Sequence, residues 1–321
     1  IGVRLVGSEM CIRDSAMTSD FEYDPVTVTD ESTATGRTAE IFEEIRQTMN
    51  LPLVTSIWRA LASWDNCLEE TWQAVKPIYT SDLPTKKLEQ FVEQIDLSNP
   101  TLSFEKNHPD INVNENDIRQ IKSIIETYNK SNGLNFLTLA ALISPLKGIQ
   151  STNYYSKIKD PKPLPKLKPL ANLKPLLSRQ AIESGAWAMV EQANRLGSDN
   201  RGKRSSSGPH VATLWRHLAH WPNFLRAVHT SYLPNQVSGQ IKRDSQKAVE
   251  TASVIGQEIN NIVSLKVNRV PLKAINVITS YVTSPQQVAR MVVLGIGMND
   301  WLNDNKRTCL LYTSDAADEE D

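Results

Sequence analysis

Cysteine and glycine are scarce in this sequence, and each shortage excludes a class of site. Three cysteines, Cys11, Cys67 and Cys309, stand in 321 residues, and no two are spaced as the CxxC pair of a metal or redox site. The thirteen glycines form neither a GxGxxG nor a Walker motif, which excludes both common phosphate-binding loops. No apolar run approaches the roughly 18 residues of a membrane span, and no signal-peptide pattern is present. We therefore expect a cytoplasmic protein that enters no membrane and holds neither a metal nor another cofactor.

The two ends of the chain differ in character from the rest. The strings MCIRDS (10–15) and CLLYTS (309–314) can be encoded by codons that are reverse complements of each other. Such a pair is similar to a translated sequencing-library adapter fused to an environmental fragment, so residues 1–15 and 309–321 are excluded from the fold. Setting aside their two bases and seven acids leaves 33 basic and 29 acidic residues, a net charge of +4. The basic run at 200–208 contains no aromatic residue, and we expect no nucleic-acid partner.

Apolar residues recur with helical spacing along most of the chain. Ile41, Ile45 and Met49 are four residues apart, and the isoleucines at 118, 121, 124 and 125 follow the same period. The alternating β-branched pattern of strands, with its Asn-Gly or Asp-Gly turns, is missing. Seven tryptophans, eight tyrosines and six phenylalanines can build a core. The sequence therefore predicts an all-α protein.

The strongest pattern is an internal repeat at an offset of 157 residues. The segments LPLVTSIWRALASWDNCL (51–68) and GPHVATLWRHLAHWPNFL (208–225) agree at nine of eighteen positions, including two tryptophans, one arginine and one proline. Each copy is predicted to form a helix with its proline in the first turn, since a missing N–H costs nothing there. A turn at 65–66 or 222–223 then leads into a second helix.

The repeat predicts an intramolecular pseudo-dimer with a ligand site between its halves. Residues 157–175 contain five prolines and six lysines, which indicates an extended connector. The predicted organisation is a disordered segment at 16–36, a first helical subdomain at 37–150, a linker at 151–177 and a second helical subdomain at 178–308.

Each repeat helix carries an apolar stripe with an arginine beside it. The stripes, which begin at Val54 and Val211, are predicted to be core, and so are both pairs of tryptophans. Arg59 and Arg216 could each clamp a carboxylate ligand or form a salt bridge to a neighbouring helix. Among rival sites, His217 and His220 could share a helix face and bind Zn²⁺, but no cysteine or acid accompanies them, so polar-face histidines are the better interpretation. A lone Cys67 is best read as a buried apolar residue.

These segments resemble the group I 2-haloacid dehalogenases, also called the halocarboxylic acid dehydrogenase family. The resemblance rests on residues 37–79, which contain NLPLVTSIWRALASW, on YNKSNGLNFLTLAAL (128–142) and on HVATLWRHLAHWPNFL (210–225). The doubled pattern Pro-x-Val-(x)3-Trp-Arg-x-Leu-Ala is its distinctive motif. The resemblance implies an all-helical pseudo-dimer in which an Asp of the second repeat, helped by an Asn of the first half, activates water. That water displaces the halide directly, with inversion and without a cofactor.

Carried over residue by residue, the resemblance implies a site between the halves. Asn135 matches the Asn, although KSNGLN is also turn-like and could make it a capping or turn residue. His210 stands where the Asp is expected, and a neutral histidine can act as a general base. Leu53 holds the corresponding position in the first copy, and Ser56 and Thr213, one turn further on, are expected to line the same cleft.

Two functions follow from the resemblance. The first is a cofactor-free hydrolase of a small 2-halo carboxylate, monomeric or homodimeric, with His210 and Asn135 as catalytic residues. The second is a protein that kept the fold but lost the base, and that binds a small acid or acts in regulation. The second is favoured by the absence of any Asp or Glu between Lys203 and Arg243.

Overall fold

The computed structural model describes residues 29–95, 113–147, 173–198, 211–263, 265 and 267–303. These ranges contain the helices α1 (Gly36–Met49), α2 (Ser56–Leu61), α3 (Cys67–Tyr79), α4 (Leu83–Gln94), α5 (Glu115–Ile143), α6 (Ser184–Asn194), α7 (Thr213–His217), α8 (Pro222–Val237), α9 (Gln240–Val263), α10 (Leu272–Thr283) and α11 (Arg290–Leu302). The all-α prediction is confirmed. Along these stretches no helix is both long and apolar enough to cross a membrane. The adapter-like ends at 1–15 and 309–321 lie outside the described residues.

The repeat helices begin later than the sequence predicts. α2 starts at Ser56, with Thr55 as its extended N-cap, so Pro52 lies before the helix rather than in its first turn. The backbone N–H of Val54 is held by the Glu31 carboxylate at 2.9 Å, which keeps this stretch extended. The turn at 65–66 is confirmed, because Asn66 adopts a left-handed φ of 58° and α3 begins at the next residue.

The segment at 16–36, predicted to be disordered, is structured in its described part. Residues 31–33 form a short 3₁₀ helix, capped by the Asp30 carboxylate through the Ser32 N–H. Glu31 accepts a hydrogen bond from Arg46 Nη1 at 2.8 Å in addition to that from Val54. The prediction was wrong for residues 29–36, because the contacts of Glu31 join residues 15 and 23 positions apart. Local sequence patterns do not predict contacts at such separations.

The interior consists of two clusters of buried apolar residues, and neither follows a predicted subdomain. The first cluster joins α1–α4 and the C-terminal half of α5 to α9, α10 and one face of α11. The second joins the N-terminal half of α5 to α6, α7, α8 and α11. With 29 residues, α5 is about 43 Å long and passes through both clusters. The boundaries at 37–150 and 178–308 therefore do not separate two independent cores, and the pseudo-dimer stays a prediction.

A glycine sets the distance between the two longest helices. A Cβ at Gly256 of α9 would lie 2.8 Å from the carbonyl carbon of Ala140 and 2.8 Å from the nitrogen of Ala141, both in α5. Backbone atoms cannot move aside as a side chain can. Only glycine therefore allows these helices to approach so closely.

Replacing this glycine tests that contact. We expect Gly256→Ala to lower the free energy of unfolding by about 1–3 kcal/mol, because α5 and α9 must separate to admit the methyl group. The control is Gly185→Ala in α6, where an added Cβ has no atom within 4 Å. There alanine should raise stability by up to about 1 kcal/mol through helix propensity. Urea unfolding curves that shift alike for both variants would contradict the close packing.

Candidate functional site

The two repeat segments, 51–68 and the described part of 208–225, meet inside the protein at one hydrogen bond, and we call them the Trp-Arg segments. Their apolar stripes are buried as predicted: Val54, Ile57, Trp58 and Leu61 in the first, Val211, Leu214, Trp215 and Leu218 in the second. Contact between the segments is polar, since Arg59 Nη2 donates to Thr213 Oγ1 over 3.4 Å. Both arginines are buried, with Arg59 2% and Arg216 5% exposed. Two positive charges are thus held in the interior where the segments meet.

Two cavities open beside this contact. The larger, of about 310 Å³, is lined by Glu31, Pro52, Leu53, Val54, Tyr128, Leu173, Lys174, Pro175, Leu176, Thr213 and His217. The smaller, of about 30 Å³, is lined by Thr55, Ser56, Tyr128, Asn132, Ala212, Thr213, Leu214, Tyr281, Gln286, Gln287, Val288, Arg290 and Met291. Tyr128 and Thr213 belong to both walls. We call these the large cavity and the small cavity, and the pair of them the cleft; each has lining residues from both Trp-Arg segments.

Asn135 is the centre of a buried hydrogen-bond network beside the cleft. It lies in the middle of α5, so the turn-like interpretation of KSNGLN was wrong, and it is fully buried. Its Oδ1 accepts from Trp58 Nε1 at 3.1 Å and from the Tyr79 hydroxyl at 2.8 Å. Its Nδ2 donates to Thr55 Oγ1 at 2.8 Å. Asn135 lines neither cavity, and it meets the cleft only through Thr55, which lines the small one.

An aromatic cluster holds the two residues, Trp58 and Tyr79, that donate hydrogen bonds to Asn135. Trp58 meets Trp72 edge to face at 5.6 Å between ring centroids, and Trp72 stacks on Tyr79 at the same distance. Trp215, which the repeat aligns with Trp58, has no hydrogen-bond partner for its Nε1 among the described residues. The polar network is therefore built on the first Trp-Arg segment and has no observed copy on the second.

The end of the predicted linker packs onto the second Trp-Arg segment. Arg216 donates from Nε and Nη2 to the Leu177 carbonyl, at 3.2 and 2.7 Å. The Nε2 atoms of His217 and His220 lie 2.5 and 2.9 Å from the carbonyls of Lys174 and Pro175. The Lys174 ammonium sits 4.4 Å above the Trp221 ring. Residues 173–177 are thus fastened to this segment and form one wall of the large cavity.

The zinc alternative has no support in this arrangement. Both Nε2 atoms that would bind a metal already face backbone carbonyls. The described ranges contain no group of three or more His, Cys, Asp or Glu side chains placed to hold a metal ion. Cys67 is buried, as predicted, and burial raises the pKa of its thiol.

Burial and nearby arginines act in opposite directions on the pKa values of two groups in the wall of the large cavity. Burial raises the pKa of the Glu31 carboxyl, while the Val54 N–H and the Arg59 charge act in the opposite direction. Burial also raises the pKa of the Tyr128 hydroxyl, against which the nearby Arg59 and Arg216 act. The fields of both buried arginines therefore reach the wall of the large cavity.

The small cavity has a buried cation of its own. Arg290 donates from Nη1 to the carbonyls of Asn194 and Leu196, at 2.9 and 3.0 Å, and from Nε to that of Gln286 at 2.7 Å. Burial lowers the pKa of its guanidinium to about 10, which leaves it charged at neutral pH. Its neighbour Gln287 has a non-helical backbone at φ −96° and ψ −129°, where the chain bends into α11.

The structure places the predicted site residues in three groups. Leu53 lines the large cavity, Ser56 the small one and Thr213 both. Arg59 reaches the cleft through Thr213, whereas Arg216 holds the linker end. His210 lies outside the described residues. Four further cleft residues were not predicted from the sequence. Glu31, Lys174 and His217 come from segments interpreted as disorder, linker and polar surface, and Tyr128 begins the segment 128–142 that carries the resemblance.

Several solved dehalogenase structures superpose on this chain over most of its length. Two crystal structures of D-2-haloacid dehalogenase mutants, one of them a complex with D-2-CPA, superpose with TM-scores of 0.61 and 0.59 at 12 and 13% identity. The complex structure of a D-2-haloacid dehalogenase with L-LA gives 0.58 at 13% identity. Each match covers 86–87% of this chain and 95% of the other. The chain therefore shares the fold of these dehalogenases.

The sequence comparison is more local. An (R)-2-haloacid dehalogenase from Pseudomonas putida is 37% identical over 57 residues, which are 17% of this chain and 19% of that protein. The match thus spans less than a fifth of the relative's length. No protein-family model matches the sequence.

The Asn135 network can be tested by removing its central amide. Asn135→Ala should lower the free energy of unfolding by about 3 kcal/mol or more, because it leaves three buried partners without their bonds and opens a void. The control is Asn132→Ala, one turn earlier in α5, at a half-buried residue that lines the small cavity. It should change stability by no more than about 0.5 kcal/mol. Equal unfolding midpoints for the two variants would show that the network does not support the fold.

Proposed function

We propose that the protein hydrolyses small 2-halo carboxylates by direct attack of water on C2, without a cofactor, in the manner expected of a group I 2-haloacid dehalogenase. The observation that carries the proposal is the large cavity, which lies beside the contact of the two Trp-Arg segments. It occurs in a fold shared with D-2-haloacid dehalogenases over nearly their whole length.

The size and lining of the large cavity suit such a substrate. Its 310 Å³ is several times the roughly 30 Å³ that one water occupies in the liquid, so an acid of a few heavy atoms and a reacting water fit together. Leu53, Val54, Leu173 and Leu176 supply an apolar wall for the alkyl group and the carbon-halogen bond. Small ligands are commonly bound in this way, by apolar walls with a few polar groups that fix orientation.

The charges of the site suit an anionic substrate. The Thr213 hydroxyl lines the cavity and is held by the buried Arg59 guanidinium, which would attract the substrate carboxylate to this side. His217, one turn after Thr213 in α7, lines the same cavity, as does Lys174. A buried positive field also stabilises the halide as it leaves with the bonding electrons.

A second function is favoured by a specific feature of the sequence. No Asp or Glu stands between Lys203 and Arg243, the region where the resemblance places the catalytic acid. The protein would then bind a small carboxylate in the same cavity without hydrolysing it. Both functions assign the cavity to a small acid and differ only in the chemical step.

Halide release by the full-length protein separates these functions. We expect chloride and 2-hydroxypropionate in equal amounts from one or both enantiomers of 2-chloropropionate, with inverted configuration at C2. Calorimetry with the same acids measures binding separately. Binding without halide release would favour the second function, and a folded protein that does neither would contradict both.

Arg59 provides the matched variant for this assay. Arg59→Met keeps much of the buried volume but removes the charge, and it should weaken binding of 2-chloropropionate by about tenfold or more, since charge-assisted bonds contribute roughly 1.5–3 kcal/mol. Arg226→Met on α8, outside both cavity walls, is the control and should leave the affinity unchanged. Unchanged affinity in Arg59→Met would place the carboxylate elsewhere.

A further inference from the structure

His217, a residue that lines the large cavity, has one imidazole nitrogen without a hydrogen-bond partner in the described part of the chain. His217 is 3% exposed and lines the cavity. Its Nε2 lies 2.5 Å from the Lys174 carbonyl, whereas its Nδ1 is buried without a hydrogen-bond partner among the described residues. Buried polar atoms are seldom left in this state unless a ligand or water meets them.

The carbonyl contact decides which nitrogen carries the proton. A carbonyl oxygen only accepts hydrogen bonds, so His217 must present Nε2–H to Lys174. In the neutral ring Nδ1 then has a free lone pair, and it is the nitrogen that can accept a proton. The ring is fixed on its other side by Tyr128, whose ring meets it edge to face at 5.9 Å between centroids.

The surroundings favour the neutral ring. Burial lowers the pKa of His217, and the charges of His220 and Arg216 act in the same direction, against the opposing effect of the Lys174 carbonyl. Two charged or titratable groups, Arg216 and His220, lie on the same segment as the ring. Tyr128 of α5, Glu31 and Lys174 line the cavity together with His217. The Lys174 ammonium also lies 4.0 Å from the Asp117 carboxylate. The cations nearest the ring disfavour a second proton on it.

We propose that Nδ1 of His217 is the general base of the hydrolysis, an inference that rests on the proposed function. Nδ1 takes one proton from a water molecule while the water oxygen bonds to C2 of the substrate. The carbon-halogen bond breaks in the same step, and the halide leaves with the bonding pair. The products are the 2-hydroxy acid and the halide, and the imidazolium returns its proton to solvent. No oxidant, reductant or cofactor is needed.

The carboxylate in the cavity wall, Glu31, already accepts hydrogen bonds from the protein. Glu31 accepts from the Val54 N–H with one carboxylate oxygen and from Arg46 with the other, at 2.9 and 2.8 Å. These bonds fasten the N-terminal segment and hold the carboxylate in place. His217 is the group whose proton-accepting atom faces no protein partner in the described part of the chain.

Exchange of histidine for glutamine tests the base. In His217→Gln the side-chain amide can still donate to the Lys174 carbonyl, but Nδ1 is gone. We expect halide release to fall by about 100- to 10 000-fold, as for loss of a general base, while 2-chloropropionate binds as before. His229→Gln makes the same exchange on α8, outside both cavity walls, and should keep turnover within about threefold of the unmodified protein. Because burial and the nearby cations lower the pKa of His217, the rate of the unmodified protein should hold through the ordinary imidazole range around pH 6.5 and fall only at lower pH, where the ring becomes protonated and accepts no further proton.

Two further measurements keep the outcomes distinct. Nitrogen-15 NMR of the unmodified protein, with His217 assigned by its loss in His217→Gln, should show a protonated Nε2 and an unprotonated Nδ1 at pH 7. A proton on Nδ1 would overturn the proposal even without an activity assay. Halide release that survives in His217→Gln but is lost in His210→Ala or Glu31→Gln would move the base to that residue. A lack of halide release by the unmodified protein would instead sink the proposed hydrolysis itself.

Discussion

Burial of two short helices that each carry an arginine is the constraint on which the rest of this structure depends. α2 and α7 have six and five residues, and both lie inside the protein with an arginine each. A buried guanidinium or imidazole must find its partners within the fold, because leaving it unpaired costs several kcal/mol. The partners come from elsewhere in the chain. Thr213 meets Arg59, the Leu177 carbonyl meets Arg216, and the Lys174 carbonyl meets His217.

The same requirement builds the cavity walls. The segments that supply these partners are the N-terminal residues around Glu31 and the linker end at 173–177, and both line the large cavity. They are fastened by backbone carbonyls and by one carboxylate rather than by a hydrophobic stripe of their own. The segments that hydrogen-bond to the buried polar groups of the Trp-Arg segments therefore also enclose a space large enough for a ligand. The cavity is a by-product of how two buried arginines and a histidine are accommodated.

Fold and chemistry are separate questions in this protein. The solved dehalogenases share its fold at 12–13% identity, a level at which backbone architecture persists while individual side chains are replaced. The chemistry of this protein therefore depends on the side chains that line its own cavity. It offers a positive field, an apolar wall and a histidine whose tautomer is set by a backbone contact. Those are the elements that proton abstraction from water beside an anionic substrate requires.

The sequence by itself determined the fold class, the burial of both Trp-Arg stripes, the turn at Asn66 and the buried state of Cys67, because each follows from spacing within one segment. It also directed attention to Thr213, Ser56 and Leu53. Only the tertiary structure decided that KSNGLN is helical, that α5 runs through both clusters, and that Glu31, Lys174 and His217 share a wall. The contacts of the linker end join residues 39 or more positions apart, and the contact of Glu31 with Val54 joins residues 23 positions apart. The local spacing of apolar residues does not predict such contacts, because they form where buried polar groups need hydrogen-bond partners.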